Sequence, residues 1–445
     1  MARVSPSQLP PGPSLPTILQ TVGWWSRPTG YLERCRARYG KRFTIRQLGA
    51  PPFVLVSEPD EIKQIFTAPP EVLHPGEGAW ILGPIVGSNS ILLLDEDAHL
   101  RQRRLVLPAF GGERMERLAD LVGEVTEREL ADWPRGRPFA THEWTQRLTM
   151  EVILRAVFGL DPGERLDRLR SSLTEMMRFG LSPISLLPPL QRDFGGRGPW
   201  ARFARYRDEA DALIYELIAE RRAAPEGADI LSAFAVATHE DGEPMSDVEI
   251  RDELMTLLIA GHETTATSLA WGMERLARTP RALEALTSEV RAGDDDAYLI
   301  ATVREILRTR PTLPTAQPRM VVEPIEIGGW TYPAGVCLMA AAWLVHHDPD
   351  IYPDPYAFRP ERFLESDPGT YTWIPFGGGR RRCAGANLAI LEMKTVLREL
   401  LRVVSIEPTT APLEPARRRA ITISPAGGGA VTLRPHSPVA SPARA

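Results

Sequence analysis

Phe376-Gly377-Gly378-Gly379-Arg380-Arg381-Arg382-Cys383-Ala384-Gly385 stands near the C-terminal end of a 445-residue chain, directly ahead of a helical pattern over Asn387–Leu401. Consecutive glycines let a backbone loop approach a flat partner with no side chain between them. A cysteine just before a helix meets free N–H groups and the positive end of the helix dipole, which is expected to lower its thiol pKa and favour a thiolate ligand. Standing alone, the same residues also read as a glycine-rich turn beside a small buried cysteine. Phosphate cradling is a poor competitor, because the Walker order G-x-x-x-x-G-K-[ST] is absent.

Upstream of this segment, apolar residues recur at i, i+3, i+4 spacing over Glu113–Trp133, Trp144–Phe158, Ala201–Ala223, Asp247–Arg278, Pro280–Ala292 and Tyr298–Arg310, which predicts helices there. Short β-like runs lie at Phe43–Ile45, Phe53–Val56, Ile325–Ile327, Val336–Ala340 and Ala420–Ile423. The class is mainly α with small β-sheets. The element from Asp247 is the best defined, since Ser246 and Glu249 form a capping box and Pro280 bounds the far end. In its middle lies Ala260-Gly261-His262-Glu263-Thr264-Thr265, where Gly weakens a helix and Thr can bond back to a carbonyl. Such a local conflict in a central helix points to function.

Composition narrows the function classes. Lys plus Arg number 52 against 57 Asp plus Glu, a net charge of −5, which is not the balance of a nucleic-acid binder. With 43% hydrophobic and 24% charged residues the chain is an ordinary globular one. Cys35, Cys337 and Cys383 are too few and scattered for a disulfide framework, which indicates a reducing, cytoplasmic setting. No run of ~20 apolar residues spans a membrane, so no transmembrane anchor is expected. The reading is one domain over residues 1–433, with a proline-rich lead-in over 1–25 and a disordered tail over 434–445.

The segment ending at Gly385 resembles the haem-binding signature of the cytochrome P450 superfamily, F-x-x-G-x-R-x-C-x-G, with every fixed position matched, and the soluble bacterial-type enzymes are the nearest form. The resemblance extends from about Leu9 to Leu433. It implies the P450 fold, with haem b (iron protoporphyrin IX) between the long central helix and the loop that carries Cys383 as its iron ligand. Phe376 and Gly385 then belong to the haem-binding loop. His99-Leu100-Arg101-Gln102-Arg103 is similar to the family's propionate-binding helix, which implies His99 and Arg103 as haem contacts, and Arg319 and Arg381 match by context. Glu305-Ile306-Leu307-Arg308 with Pro360-Glu361-Arg362-Phe363 resembles the family's E-x-x-R and P-E-R-F stretches, which implies a buried triad of Glu305, Arg308 and Arg362.

The stretch from Ala260 to Thr265 resembles the family's oxygen-activation motif, which implies Thr264 as a hydroxyl donor to the reacting oxygen and Glu263 as the acid that relays protons through water. A zinc-protease reading of His262-Glu263 fails at the fifth position, Ala266. The same resemblance outlines a substrate pocket from Trp80–Ser90, Phe179–Trp200, Ala260, Leu313–Thr315 and Ile421–Ile423, of which Trp80, Ala260 and Leu313 are the chosen residues. The apolar run Leu181–Leu190, broken by prolines, suits contact with a membrane surface and not a crossing.

The activity so implied is that of a haem-thiolate monooxygenase. It inserts one atom of O2 into a lipophilic small molecule, by C–H hydroxylation or epoxidation of a fatty acid, terpenoid or steroid-like substrate. NAD(P)H-derived electrons are expected from separate redox partners, a ferredoxin and its reductase or a flavodoxin-type donor. Two alternatives are a peroxide-dependent or rearranging haem-thiolate enzyme and a non-enzymatic haem sensor or carrier. The Glu263 and Thr264 pair speaks against both.

Overall fold

The capping box forms as expected: Ser246 Oγ accepts from the Glu249 N–H, and the Glu249 carboxylate accepts from the Ser246 N–H at 2.8 Å. From there an unbroken helix runs over Asp247–Ala277, about 46 Å at 1.5 Å per residue. It stops at Ala277, one residue short of the expected Arg278, and Pro280 opens the next helix, Pro280–Ala292. The computed structural model describes residues 8–180, 196, 198–293 and 295–436.

Two helical cores are laid along this strut. Around its N-terminal half Leu254, Met255 and Leu258 pack with Ile153, Leu173, Ile214 and Phe234 from the helices Thr141–Phe158, Glu164–Gly180, Pro199–Ala223 and Ile230–Ala235. Around its C-terminal half Leu269, Met273 and Leu276 pack with Leu286, Ile306 and Leu397 from Pro280–Ala292, Ala297–Thr309 and Ala386–Val403. The expected helices are present with end shifts of one to three residues. Glu164–Gly180 was not expected, although Leu166, Leu169, Leu173 and Met176 carry its buried face at helical spacing. Its charged outer face hid that period.

The sheets are small. The largest has five strands in the order Arg42–Ile45, Phe53–Val56, Cys337–Ala340, Arg319–Val321, Leu73–His74, with Phe53–Val56 and Cys337–Ala340 parallel. The expected strand Ala420–Ile423 divides: Thr422 and Ile423 are strand, and Ala420 and Ile421 are the bend of a hairpin. Ala416–Arg419 pairs with Thr422–Pro425, and Ala420 takes a positive φ of 49° between them. The chain ends differ from expectation as well. Residues 1–7 of the lead-in lie outside the described residues, and Thr17–Ser26 is a helix whose Gln20 donates to Pro13 O at 3.0 Å. Arg434 and Pro435 belong to the strand Ala430–Pro435, paired with Ser405 and Val404, so the expected tail does not begin at 434. Residues 437–445 lie outside the described residues.

Candidate active site

The loop before Cys383 is shaped by its own backbone. Gly377 N–H donates to Ile374 O at 3.1 Å, and Cys383 N–H donates to Phe376 O at 3.0 Å. The glycines serve the protein's packing more directly than expected. A Cβ on Gly378 would fall 2.2 Å from Phe66 Cδ2, and one on Gly379, at φ 65°, would fall 2.1 Å from Phe66 O. At Gly385, φ is −86° and a Cβ would meet nothing within 4 Å, so the fold itself does not require glycine there. Phe376 is half-buried, edge-on to Trp373 at 6.0 Å between ring centroids.

Cys383 lies two residues ahead of the first turn of Ala386–Val403. Its side chain is exposed, yet protein packs around much of the thiol. Burial therefore pushes the thiol up, against the Gly385 N–H and the charges of Arg103 and Arg382. This corrects the expected depression: the helix terminus acts as predicted, and desolvation outweighs it.

Two distant segments bring cations to this loop, which carries a third in Arg381. Arg103 donates from Nη2 to Arg382 O at 2.9 Å. Arg319 donates to Ile65 O at 2.7 Å and to Gly378 O at 3.3 Å, and stacks over Phe66 at 4.9 Å. Arg381 bonds Ile91 O at 3.0 Å, Leu94 O, and Asp95 Oδ1 at 2.7 Å. His99 is 3% exposed, and burial plus the charges of Arg381, Arg103 and Arg319 take its pKa down to about 3, so its ring is neutral. Burial, reinforced by neighbouring arginines, also lowers Arg319 and Arg381 to about 10. Among the described residues no carboxylate pairs with Arg103 or Arg319. Unpaired, desolvated guanidinium groups call for an anion, and a carboxylate-bearing macrocycle beside Cys383 supplies that need. The residues present fit haem.

The triad is assembled and buried. Arg308 binds Glu305 through Nε at 2.7 Å and Nη2 at 2.8 Å, with both side chains 0% exposed, and Arg362 Nε reaches Glu305 Oε1 at 3.2 Å. Arg308 also donates to His346 O at 2.6 Å, Pro355 O at 2.8 Å and Ala357 O at 3.2 Å. His346, which the sequence did not single out, continues the line: its Nε2 accepts from the Ile374 N–H at 2.9 Å, at the entrance of the Cys383 loop.

On the central helix Leu258, His262, Glu263 and Thr265 are buried, whereas, besides the partly exposed Ile259, the residues Leu257, Ala260, Gly261 and Thr264 are at least partly exposed. These positions follow i, i+3, i+4, i+7 spacing, so they form one open stripe. Thr264 Oγ1 donates back to Ala260 O at 2.6 Å, yet the helix stays continuous. Glu263 does not share the stripe. Its Oε2 accepts from Gln146 at 2.5 Å, and Oε1 faces His142 Nε2 at 3.4 Å, Thr267 Oγ1 at 3.4 Å and Arg419 Nε at 3.7 Å. Glu263 is thus held in a buried network on the neighbouring flank. His262 is turned into the core against Thr149 at 2.9 Å, and no group of three or more His, Cys, Asp and Glu suited to a metal ion occurs among the described residues.

Of the expected pocket residues, Trp80 is 45% exposed on the short turn Trp80–Leu82, Leu313 is half-buried, and Ala260 lies on the open stripe. Ile423 is ordinary core, fully buried with its N–H on Thr312 O at 2.8 Å. Residues 181–195 and 197, and with them Leu181–Leu190, lie outside the described residues. The loop over 87–91 is pinned to the central helix by groups that pattern reading missed: Asp252 accepts from Asn89 N–H at 2.9 Å and Glu253 from Ile91 N–H at 2.7 Å.

A second buried carboxyl, Glu392 on the helix after Cys383, bonds Thr265 of the central helix, has no partner for Oε1, and is raised by burial to about 8. A carboxyl raised in the folded state favours folding fully below its unfolded pKa, and that contribution is lost as pH rises from the ordinary glutamate value to about 8. Glu392→Gln, which keeps the neutral shape, is expected to melt near the parent temperature at pH 5 and several degrees above it at pH 9. Thermal melts at the two pH values check this; an equal offset at both would contradict it.

The family model described as Cytochrome P450 matches residues 6–429. The chain is 38% identical over 443 residues to "Putative cytochrome P450 135B1" of Mycobacterium tuberculosis (strain ATCC 25618 / H37Rv), covering 98% of this chain and 93% of that one. It is 39% identical over 430 residues to "Putative cytochrome P450 138" of the same strain, covering 96% of each. Its fold is similar to that of the retinoic acid bound cyanobacterial CYP120A1, with a TM-score of 0.81, 21% identity and coverage of 96% and 99%. The chain belongs to the cytochrome P450 family and is a haem-dependent monooxygenase. Among the described residues no helix is long and apolar enough to cross a membrane.

Proposed function

We propose that Cys383 ligates the haem iron, that Arg103, Arg319, Arg381 and neutral His99 hold the propionates, and that Phe376 and Gly385 border the macrocycle. The observation that carries this is the convergence of desolvated, carboxylate-free guanidinium groups on the backbone of the Cys383 loop. Haem held there would supply thiolate-ligated iron for monooxygenation, in which two electrons and two protons accompany O2 so that one atom enters the substrate and the other leaves as water. The Gly385 N–H and the Arg103 charge favour the thiolate over the thiol at Sγ. The propionate charges are neutralised where Arg103 and Arg319 have no other counter-ion.

Ala260 and Gly261 leave room beside the helix, and Thr264 Oγ1 holds a proton at its edge. Glu263 reloads that hydroxyl through water. Trp80, Ala260 and Leu313 border an apolar site that suits a lipophilic molecule of fatty-acid, terpenoid or steroid class. Arg380 and Arg382, exposed beside Cys383, offer a basic face to a ferredoxin or flavodoxin-type donor that carries NAD(P)H-derived electrons.

Thr264→Ala tests the monooxygenase reading. Its haem spectra are expected to match the parent, while product formed per NAD(P)H falls about tenfold or more and hydrogen peroxide rises in its place. Coupling equal to the parent's would remove Thr264 from the proton path.

A further inference from the structure

We propose that His142 and Arg419 are positioning residues for proton delivery: they hold Glu263 Oε1 on the flank of the central helix that faces the hairpin, so that protons reach it from the Arg419 edge. The inference rests on the reading of Glu263 as relay acid and adds what sets its position and its route to solvent. Glu263 and His142 are buried, with side chains 6% and 4% exposed, whereas the Arg419 side chain is 34% exposed. Arg419 is thus a point where this network meets solvent, beside the partly exposed Gln146.

The chemistry of the contacts fixes the imidazole. Arg419 Nη1 lies 3.0 Å from His142 Nδ1. A guanidinium can only donate, so Nδ1 accepts and the neutral ring carries its proton on Nε2. That N–H faces Thr267 Oγ1 at 3.1 Å and Glu263 Oε1 at 3.4 Å. The two carboxylate oxygens are held unequally. Oε2 is fastened by Gln146 at 2.5 Å, while the three groups around Oε1 stand at 3.4 to 3.7 Å. Oε1 is the loosely held oxygen, able to take a proton and release it without breaking a short bond.

The frame around His142 is rigid. Its N–H donates to Gly428 O at 2.9 Å, and Thr141 Oγ1 donates to Gly429 O at 2.8 Å. A Cβ at Gly429, whose φ is 68°, would lie 2.7 Å from Ala270 O of the central helix. The hairpin and the start of Thr141–Phe158 are therefore locked onto the helix that carries Glu263. The charged and titratable groups facing Glu263 are His262 from its own helix, His142 from Thr141–Phe158, and Arg419 from the hairpin. Burial would raise the carboxyl, but the His142 hydrogen bond and the Arg419 charge bring it below the ordinary value.

The test is an infrared pH titration of the purified haem protein, following the carboxylate band that disappears in Glu263→Gln, alongside the pH profile of the product-to-peroxide ratio. His142→Ala and Arg419→Ala are each expected to move the infrared midpoint up by about one pH unit, with the coupling profile moving in the same direction. His142→Gln, whose amide can donate from the place of Nε2, is expected to recover most of the shift. Arg419→Ala alters a partly exposed side chain and keeps the test open should His142→Ala fold poorly. An unchanged midpoint in Arg419→Ala, or a moved midpoint with an unmoved coupling profile, overturns the proposal. The carbon monoxide difference spectrum is recorded for every protein: its failure in the parent defeats the haem-thiolate reading itself, whereas failure of the midpoints to move with that spectrum intact defeats this inference alone.

Discussion

Cys383→Ala is expected to lose the red-shifted Soret band that the dithionite-reduced, carbon monoxide-treated parent shows, and to lose product formation entirely. The side chain removed is small and exposed. The loop is held by main-chain bonds, Cys383 N–H to Phe376 O and Gly377 N–H to Ile374 O, that alanine keeps. The fold is therefore expected to survive, with a melting temperature close to the parent's when both are compared without haem. The arginines around the loop remain, so residual haem binding with an unshifted band is compatible with the assignment. Retention of the thiolate band in the variant would show that Cys383 is not the ligand.

Glu305→Ala is expected to cost about 3–5 kcal/mol of stability, the scale on which a buried ion pair is broken from one side. Its geometry explains the size. Arg308 is wholly buried, and Glu305 is the carboxylate that meets it, while Arg362 and the Arg359 N–H also bind Glu305 Oε1, the latter at 2.8 Å. Alanine leaves those donors facing nothing. Because Arg308 binds His346 O and His346 Nε2 holds the Ile374 N–H, the loss is expected to reach the Cys383 loop as weakened haem retention. Denaturant unfolding and haem content measure the two effects. A variant with parental midpoint and full haem loading would show the triad to be peripheral.

Much of this molecule is legible in one dimension. The long helix announces itself through Ser246 and Glu249, whose capping chemistry is local. The Cys383 segment is legible because ten adjacent positions carry a loop, a ligand and a helix start together. Charge spacing marks Glu305 and Arg308, three residues apart on one helix face. Elements failed where the signal was weak or shared: Glu164–Gly180 behind a charged outer face, and the hairpin bend at Ala420 read as a strand.

Contacts between distant segments were not legible in the same way. His346 and Glu392 carry no motif, and their importance comes from what lies beside them in space. Gly378 and Gly379 were expected to clear a path for a macrocycle, and their tightest constraint turned out to be Phe66, more than 300 residues earlier. Glu263 follows the motif by type, but only packing shows that its carboxylate turns to His142, Gln146 and Arg419.

By itself, then, the sequence determined the class, the loop that carries Cys383 and the central helix, because each is written in neighbouring residues whose geometry a helix or loop repeats reliably. Tertiary structure decided which charges lose their water. Burial lifts the Cys383 thiol against its helix terminus and drops His99 to about 3 beside three arginines. Desolvation depends on everything packed around a group, and that is a property of the folded chain, not of any stretch of it.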